Sequence, residues 1–88
     1  MNNKVLVKLN VPELDITYDI MIPTNEIMWK IKKLLIKSIS DLNRIKIDIN
    51  KNYILLNKNN SRMYNNNEIV YNTDIRNSTE LILISDNN

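Results

Sequence analysis

Residues 5–22 read VLVKLNVPELDITYDIMI, and this stretch determines the first part of the fold. Apolar residues recur at every second position on both sides of a short break: Val5, Val7, Leu9 and Val11 before it, and Ile16, Tyr18, Ile20 and Ile22 after it. A period of two residues is typical of a strand that is buried on one face. Because the break at Pro12-Glu13 is short and proline lacks an amide donor, we predict two antiparallel strands joined as a hairpin.

A helix is predicted directly after the hairpin. Pro23 ends the second strand, and the side chain of Thr24 or Asn25 is expected to cap the helix. The apolar residues that follow are spaced for one helical face, bordered by Met28: Ile27, Ile31, Leu34, Leu35, Ile39 and Leu42. The helix should end between residues 41 and 43. Lysines occupy its opposite side: Lys30, Lys33 and Lys37.

The remaining sequence predicts further strands. Residues 53–56 and 80–85 are the strong candidates, 57–60 form a turn, and 62–64 are expected to pair back briefly. Alternation also predicts a short extended segment with the apolar residues Ile45, Ile47 and Ile49. A loop farther along is anchored by Ile69, Val70 and Ile75. The order is ββαββ, an α+β fold with a mixed sheet of four or five strands packed on one helix. We expect one domain over residues 1–88, ordered over about 4–85, with frayed termini.

Composition excludes several classes of function. The chain has no cysteine and no histidine, so disulfides, thiolate metal sites and the commonest general base are ruled out, and we expect no metal and no cofactor. Asp15 and Asp19 could share one strand face, as paired catalytic carboxylates do, but nothing marks either as buried, and we expect no enzyme activity. No signal peptide or membrane span is evident, so we expect a cytoplasmic protein without membrane insertion.

Four segments carry a resemblance to a known family: residues 7–12, residues 14–23, the helix from Glu26 and residues 74–81. They resemble the ubiquitin-like, β-grasp superfamily, and more narrowly the small bacterial YukD/EsaB-like proteins of type VII secretion loci. The resemblance implies a module that binds proteins, an accessory or regulatory component whose partner is a cytoplasmic domain of a secretion-machine component. Ser78 departs from the family, which often has glycine there, and we expect Asn77 to adopt the positive φ instead.

Ubiquitin-like modifiers and sulfur carriers act through a terminal pair of glycines, whereas this sequence contains no glycine and ends in Ser85-Asp86-Asn87-Asn88. We therefore expect a protein that is not conjugated. Ferredoxins share the β-grasp topology but hold iron with cysteine thiolates, which this sequence lacks.

The first candidate site is an apolar sheet surface. In Leu81-Ile82-Leu83-Ile84 both alternating sets are apolar, so one set should face the helix and the other should face outward. If Leu81 and Leu83 face the helix, then Ile82 and Ile84 face outward beside Leu6, and one of Ile54 and Leu55 joins them. We take Ile54 as that residue, and the predicted partner-binding surface is then Leu6, Ile54, Ile82 and Ile84. The alternative is that loop 43–52 folds over this surface.

The second candidate site is on the helix. At about 100° per residue, Trp29 and Ile36 fall together on the side away from the core centre, next to Lys33. An exposed tryptophan beside a lysine suits a binding anchor. The alternative is that Trp29 tucks under the carboxyl-terminal segment or under loop 65–72.

Charge is distributed unevenly along the chain. Residues 30–62 hold nine of the twelve basic residues and two of the ten acidic ones, a net charge of +7 against −5 elsewhere. A nucleic-acid-binding regulator could use the basic helix face, but no RNA-binding signature accompanies the lysines, and we expect no nucleic acid partner.

A self-associating module that buries the apolar surface in a homodimer is the other alternative. We expect a monomer or a weak homodimer.

Overall fold

The computed structural model describes residues 3–48 and 51–86. It contains four strands and one α-helix: β1 (Lys4–Val11), β2 (Ile16–Pro23), α1 (Met28–Asn43), β3 (Tyr53–Asn57) and β4 (Glu80–Ser85). The strands form one sheet in the order β2-β1-β4-β3, in which β1 and β4 are parallel and the other neighbours are antiparallel. The predicted α+β fold with a mixed four-stranded sheet is confirmed. The predictions for Ile49 and for the outermost termini lie outside the described residues.

The hairpin follows the predicted alternation. Every residue of β1 pairs with one of β2, and Val7, Leu9 and Val11 are buried. The link is a 3₁₀ turn at Pro12–Leu14, followed by Asp15 in a left-handed conformation. Since β2 begins only at Ile16, Asp15 and Asp19 do not share a strand face, and the paired-carboxylate arrangement considered from the sequence does not form.

The helix is not capped by Thr24 or Asn25, and that prediction is wrong. Ile27 is the N-cap residue, and among residues 3–48 and 51–86 no side chain accepts a bond from the free amides at the start of the helix. Loop 65–72 serves instead: the Met28 N–H donates to the Glu68 carbonyl at 2.8 Å and the Trp29 N–H to the Asn66 carbonyl at 3.2 Å. These bonds satisfy donors that every helix leaves unpaired, and they tie the start of α1 to the loop.

The buried face of α1 is rotated from the predicted one. Met28 and Ile36 are buried, whereas Leu34 is 42% exposed and Leu42 is 64% exposed. The rotation has a physical cause, because loops on the β3 side add apolar surface that the alternation of the strands does not show. The loop residues packed there are buried or partly buried: Ile47, Tyr64, Val70 and Ile75.

Residues 45–48 form no strand, so the predicted extended segment is wrong for them. The chain turns back at the helix end, where Arg44 adopts a left-handed conformation. The Ser40 carbonyl accepts bonds from the N–H groups of Arg44 and Ile45, and the Ser40 hydroxyl donates to the Ile45 carbonyl. This segment is therefore bound to the helix end, and Ile47 packs against the core.

Four described residues have a positive φ although none of them is glycine: Asp15, Arg44, Ser61 and Ser78. The expectation for Asn77 is wrong, since Ser78 has the positive φ, at 72°. Asn77 is held by its side chain, whose Oδ1 accepts from the Leu6 N–H at 2.9 Å, while the Ser78 N–H donates to the Leu6 carbonyl at 2.7 Å. The turn is thus fastened to both polar groups of one β1 residue.

Candidate interaction surfaces

The two faces of β4 separate as predicted. Leu81 and Leu83 are buried against the helix, so Ile82 and Ile84 lie on the outer face of the sheet. The register places Ile54 opposite Ile84 and Leu56 opposite Ile82. Paired residues of adjacent strands present their side chains on the same face, so these four residues form one apolar cluster.

Met63 extends this cluster. It forms an isolated antiparallel bridge with Leu56, which places its side chain beside Leu56 on the outer face. Met63 is 59% exposed, whereas the four strand residues are half-buried. We call the set the β3–β4 patch: Ile54, Leu56, Met63, Ile82 and Ile84.

Leu6 does not belong to this patch, and the expectation that it lies beside Ile82 and Ile84 is wrong. The parallel register pairs Ile82 with Asn10, so Leu6 lies four residues, or roughly 13 Å, away along β1. Leu6 pairs with Met21 on β2 and forms a second exposed apolar pair with it, which we call the β1–β2 patch.

A band of charge separates the two patches. Lys8 lies between Asp19 on β2 and Glu80 on β4, with each of which it is paired by the register. These residues face outward, since their neighbours Val7, Leu9 and Leu81 are buried. The outer face therefore offers two apolar surfaces divided by a charged row.

The alternative that loop 43–52 covers the β3–β4 patch is not supported by its described residues. Ile47 lines a small cavity with Ile36, Ile39 and Leu83, all of which face the interior. The described part of this loop thus packs on the helix side of the sheet.

A polar network holds the segment that presents Met63. The Tyr64 hydroxyl donates to Asp74 Oδ1 at 2.5 Å, and the Arg62 guanidinium donates to Glu68 at 2.6 Å. Asn60 Nδ2 donates to the other Asp74 oxygen at 3.0 Å. Burial and the bond to Asp74 raise the pKa of Tyr64 to about 12, and the bond from Tyr64 is the largest cause that lowers the pKa of Asp74. Met63 is therefore held between two anchored neighbours.

The helix site is only partly as predicted. Trp29 is 39% exposed and Lys33 is exposed, with its Nζ 5.1 Å from the centroid of the Trp29 ring. Ile36 is only 2% exposed, so its placement with Trp29 on a surface away from the core is wrong, because α1 is rotated toward β3. Trp29 contacts loop 65–72 through its backbone, yet its ring remains accessible.

Sequence reasoning missed several surface residues. Leu56 and Met63 belong to the β3–β4 patch, and the available signal was the predicted turn at 57–60 followed by the pairing of 62–64 with β3. Lys32 was not among the predicted site residues either. In the rotated helix it lies near the start of β3, beside Tyr53.

The described residues show no metal centre: nowhere in 3–48 and 51–86 do three acidic, histidine or cysteine side chains gather closely enough to hold an ion. Within the same residues, α1 is the only α-helix, and it is too short and too polar to span a bilayer.

Comparison with known proteins identifies the fold. No protein-family model matches the chain, and no curated protein matches its sequence. Among solved structures, the ubiquitin-like domain of Plasmodium falciparum Dsk2 is 11% identical with a TM-score of 0.69, and the match covers 94% of this chain and 99% of that one. The chain thus has the ubiquitin-like β-grasp fold, as predicted.

Two further structures share the fold. A chain of the ESX-5 inner membrane complex is 13% identical with a TM-score of 0.77; the match covers 99% of this chain but 22% of that one. A chain of the toluene 4-monooxygenase HD complex is 6% identical with a TM-score of 0.72, and the match covers 94% of this chain and 99% of that one. At these identities the likeness concerns the fold alone.

Proposed function

We propose that this protein is a non-conjugating ubiquitin-like interaction module, an accessory or regulatory component of a bacterial type VII secretion system. It binds a cytoplasmic domain of a membrane-anchored component of that machine through the β3–β4 patch. It acts in the cytoplasm, without catalysis and without a cofactor.

The observation that carries the proposal is the β3–β4 patch. Five apolar side chains from two paired strands and one anchored loop lie together on the outer face, next to the charged row of Lys8 and Glu80. An apolar centre with a polar rim is the usual anatomy of a protein interface. Because strands and a hydrogen-bonded loop hold the patch, little conformational freedom is lost on binding.

The assignment to type VII secretion has separate support. The segments quoted from the sequence resemble the YukD/EsaB-like family, and a region with the same fold occurs in a chain of the ESX-5 inner membrane complex. Neither likeness assigns a partner, so the partner must be sought among the membrane components encoded at the same locus.

The test compares two methionines that receive the same substitution. Met63→Asp places a carboxylate in the β3–β4 patch, and Met21→Asp, at a residue that is 45% exposed, places one in the β1–β2 patch. Binding of purified cytoplasmic domains from the same locus is measured by calorimetry, after circular dichroism has confirmed that both variants are folded. We expect Met63→Asp to weaken binding about tenfold or more, since a carboxylate would be buried unpaired, and Met21→Asp to leave it unchanged.

A loss of binding that is equal in the two variants, or confined to Met21→Asp, contradicts the use of the β3–β4 patch. Sedimentation of the unmodified protein at micromolar concentration tests self-association. A dimer that dissociates in Met63→Asp would assign the patch to a second copy of the chain instead.

A further inference from the structure

A groove runs between α1 and the start of β3, on the helix side of the sheet. Its volume is about 260 Å³. Three lysines and two asparagines line it together with aromatic and apolar side chains: Lys32, Lys33, Lys51, Asn52, Asn66, Trp29, Ile36 and Tyr53. No acidic side chain of the described residues lines this groove, although three cations do.

Lys32 differs in its surroundings from two cations that lie outside the groove. Lys30 lies 3.7 Å from the Glu26 carboxylate, and Arg62 pairs with two acids. Lys32 instead donates to a neutral oxygen, Asn66 Oδ1, at 2.7 Å. Burial lowers the pKa of Lys32. An ammonium group has three donors, so Lys32 can bind an anion without losing Asn66.

Trp29 gives the groove an apolar wall. Lys33 and Lys30 lie over its ring, with their Nζ atoms 5.1 and 5.4 Å from the centroid. Cations above an indole ring are attracted to it, and the contact holds the Lys33 ammonium at the edge of the groove. The groove thus combines fixed positive charge with the side of an indole and a tyrosine.

We infer that this groove binds an acidic segment of a protein partner, with one carboxylate at Lys32 and others at Lys33 and Lys51. The inference rests on the proposed function only in taking the partner to be a protein; it concerns a surface on the other side of the sheet from the β3–β4 patch. Asn52 and Asn66 offer amide groups to the main chain of the segment, and Tyr53 accommodates its aliphatic side chains.

Carboxylates fit this site better than a nucleic acid does. The lysines over the Trp29 ring occupy the position in which a base would stack. The cations also converge on one short groove, whereas binding to single strands needs a charged track along the surface.

The test uses the single tryptophan of the chain as a reporter, because Trp29 lies in the groove. A capped peptide of eight glutamates is titrated into the protein at low salt while Trp29 fluorescence is recorded. We expect a saturable change that weakens as the ionic strength rises to physiological values. A capped peptide of eight lysines and an oligouridylate of matched charge are the comparison ligands.

Two matched variants locate the contact. Lys33→Gln removes a cation of the groove, and Lys37→Gln removes one that is exposed one helical turn further along α1, outside the groove. We expect Lys33→Gln to raise the dissociation constant of the peptide about threefold to fivefold, as for the loss of one exposed ion pair. Lys37→Gln should change the dissociation constant by less than half of that factor. Lys32→Gln should weaken binding at least as much as Lys33→Gln.

Several outcomes overturn the inference. They are no fluorescence response to the glutamate peptide at low salt, an equal effect of Lys33→Gln and Lys37→Gln, and tighter binding of the oligouridylate than of the peptide. Met63→Asp distinguishes the two proposals, because the peptide should bind that variant as it binds the unmodified protein. A failure of partner docking at the β3–β4 patch therefore leaves this test unaffected.

Discussion

Replacing Ser78 with glycine should stabilise the protein. Ser78 has a φ of 72° in the turn before β4, where its Cβ is crowded by the backbone. That conformation costs a residue with a side chain about 1–2 kcal/mol, whereas glycine adopts it freely. Against this, glycine gives the unfolded chain more conformational entropy, which lowers the free energy of unfolding by about 0.5–1 kcal/mol. The net expected gain in the free energy of unfolding is about 0.5–1 kcal/mol, which raises Tm by roughly 2–8 °C in a domain of this size.

The assay is chemical and thermal unfolding followed by circular dichroism, with Ser78→Ala as the matched control. Alanine removes the hydroxyl but keeps the Cβ, so it should give no gain. The backbone bond from residue 78 to the Leu6 carbonyl is available to all three residues. Equal stability of Ser78→Gly and the unmodified protein, or an equal gain in Ser78→Ala, would refute the reasoning from the positive φ.

Other predictions concern the helix and the polar network. Ile36→Ala should lower the free energy of unfolding by about 2–4 kcal/mol, because it leaves a cavity, whereas Leu42→Ala should change it by less than about 0.5 kcal/mol; urea unfolding measures both, and the reverse order would contradict the rotated helix. The pKa of Asp74 is lowered from 3.8 in the folded state, so its contribution to stability is present above pH 3.8 and is lost as the pH falls through the folded pKa. Asp74→Asn should therefore be less stable near neutral pH and show a shallower acid-induced loss. The pKa of Tyr64 is raised to about 12 from 10, so its contribution is present below pH 10 and is lost as the pH rises toward 12. Ultraviolet titration should show one tyrosine ionising near pH 12, and Tyr64→Phe should remove that transition.

Local patterns predicted the sheet well. Strands β1 and β2 follow from alternation alone, because a strand buried on one face has apolar residues at every second position, whereas β4 follows from a continuous apolar run. The two sets of β4 were also predictable, but which of them is buried was not: the structure shows that Leu81 and Leu83 are the buried pair.

The rotation of α1 could not be predicted in the same way. Its apolar residues surround more than half of the helix, since Leu34 and Ile36 point in nearly opposite directions. Several faces could therefore be buried. Loop residues such as Tyr64 and Ile47 decide which face is buried, and their positions depend on tertiary contacts far apart in sequence. The helix cap was missed for a similar reason, because its acceptors are backbone carbonyls of residues 66 and 68.

The candidate surfaces depended on register. Alternation indicates which face a residue occupies but not how far along the neighbouring strand its partner lies. Leu6 was therefore assigned to the correct face and to the wrong neighbours, since the pairing of Asn10 with Ile82 displaces it from the β3–β4 patch.

The position of β4 has a consequence for how the protein is made. β4 is the last of the four strands along the chain, yet it lies between β1 and β3 in the sheet. During synthesis the β1–β2 hairpin can form early, but β3 has no neighbouring strand to join until residues 80–85 have left the ribosome. Until then Ile54 and Leu56 belong to a strand that is paired only through the short bridge to Met63, which exposes the nascent chain to aggregation and to chaperones. Completion of the sheet must therefore be a late event in biosynthesis, governed by the meeting of strands that are far apart in sequence.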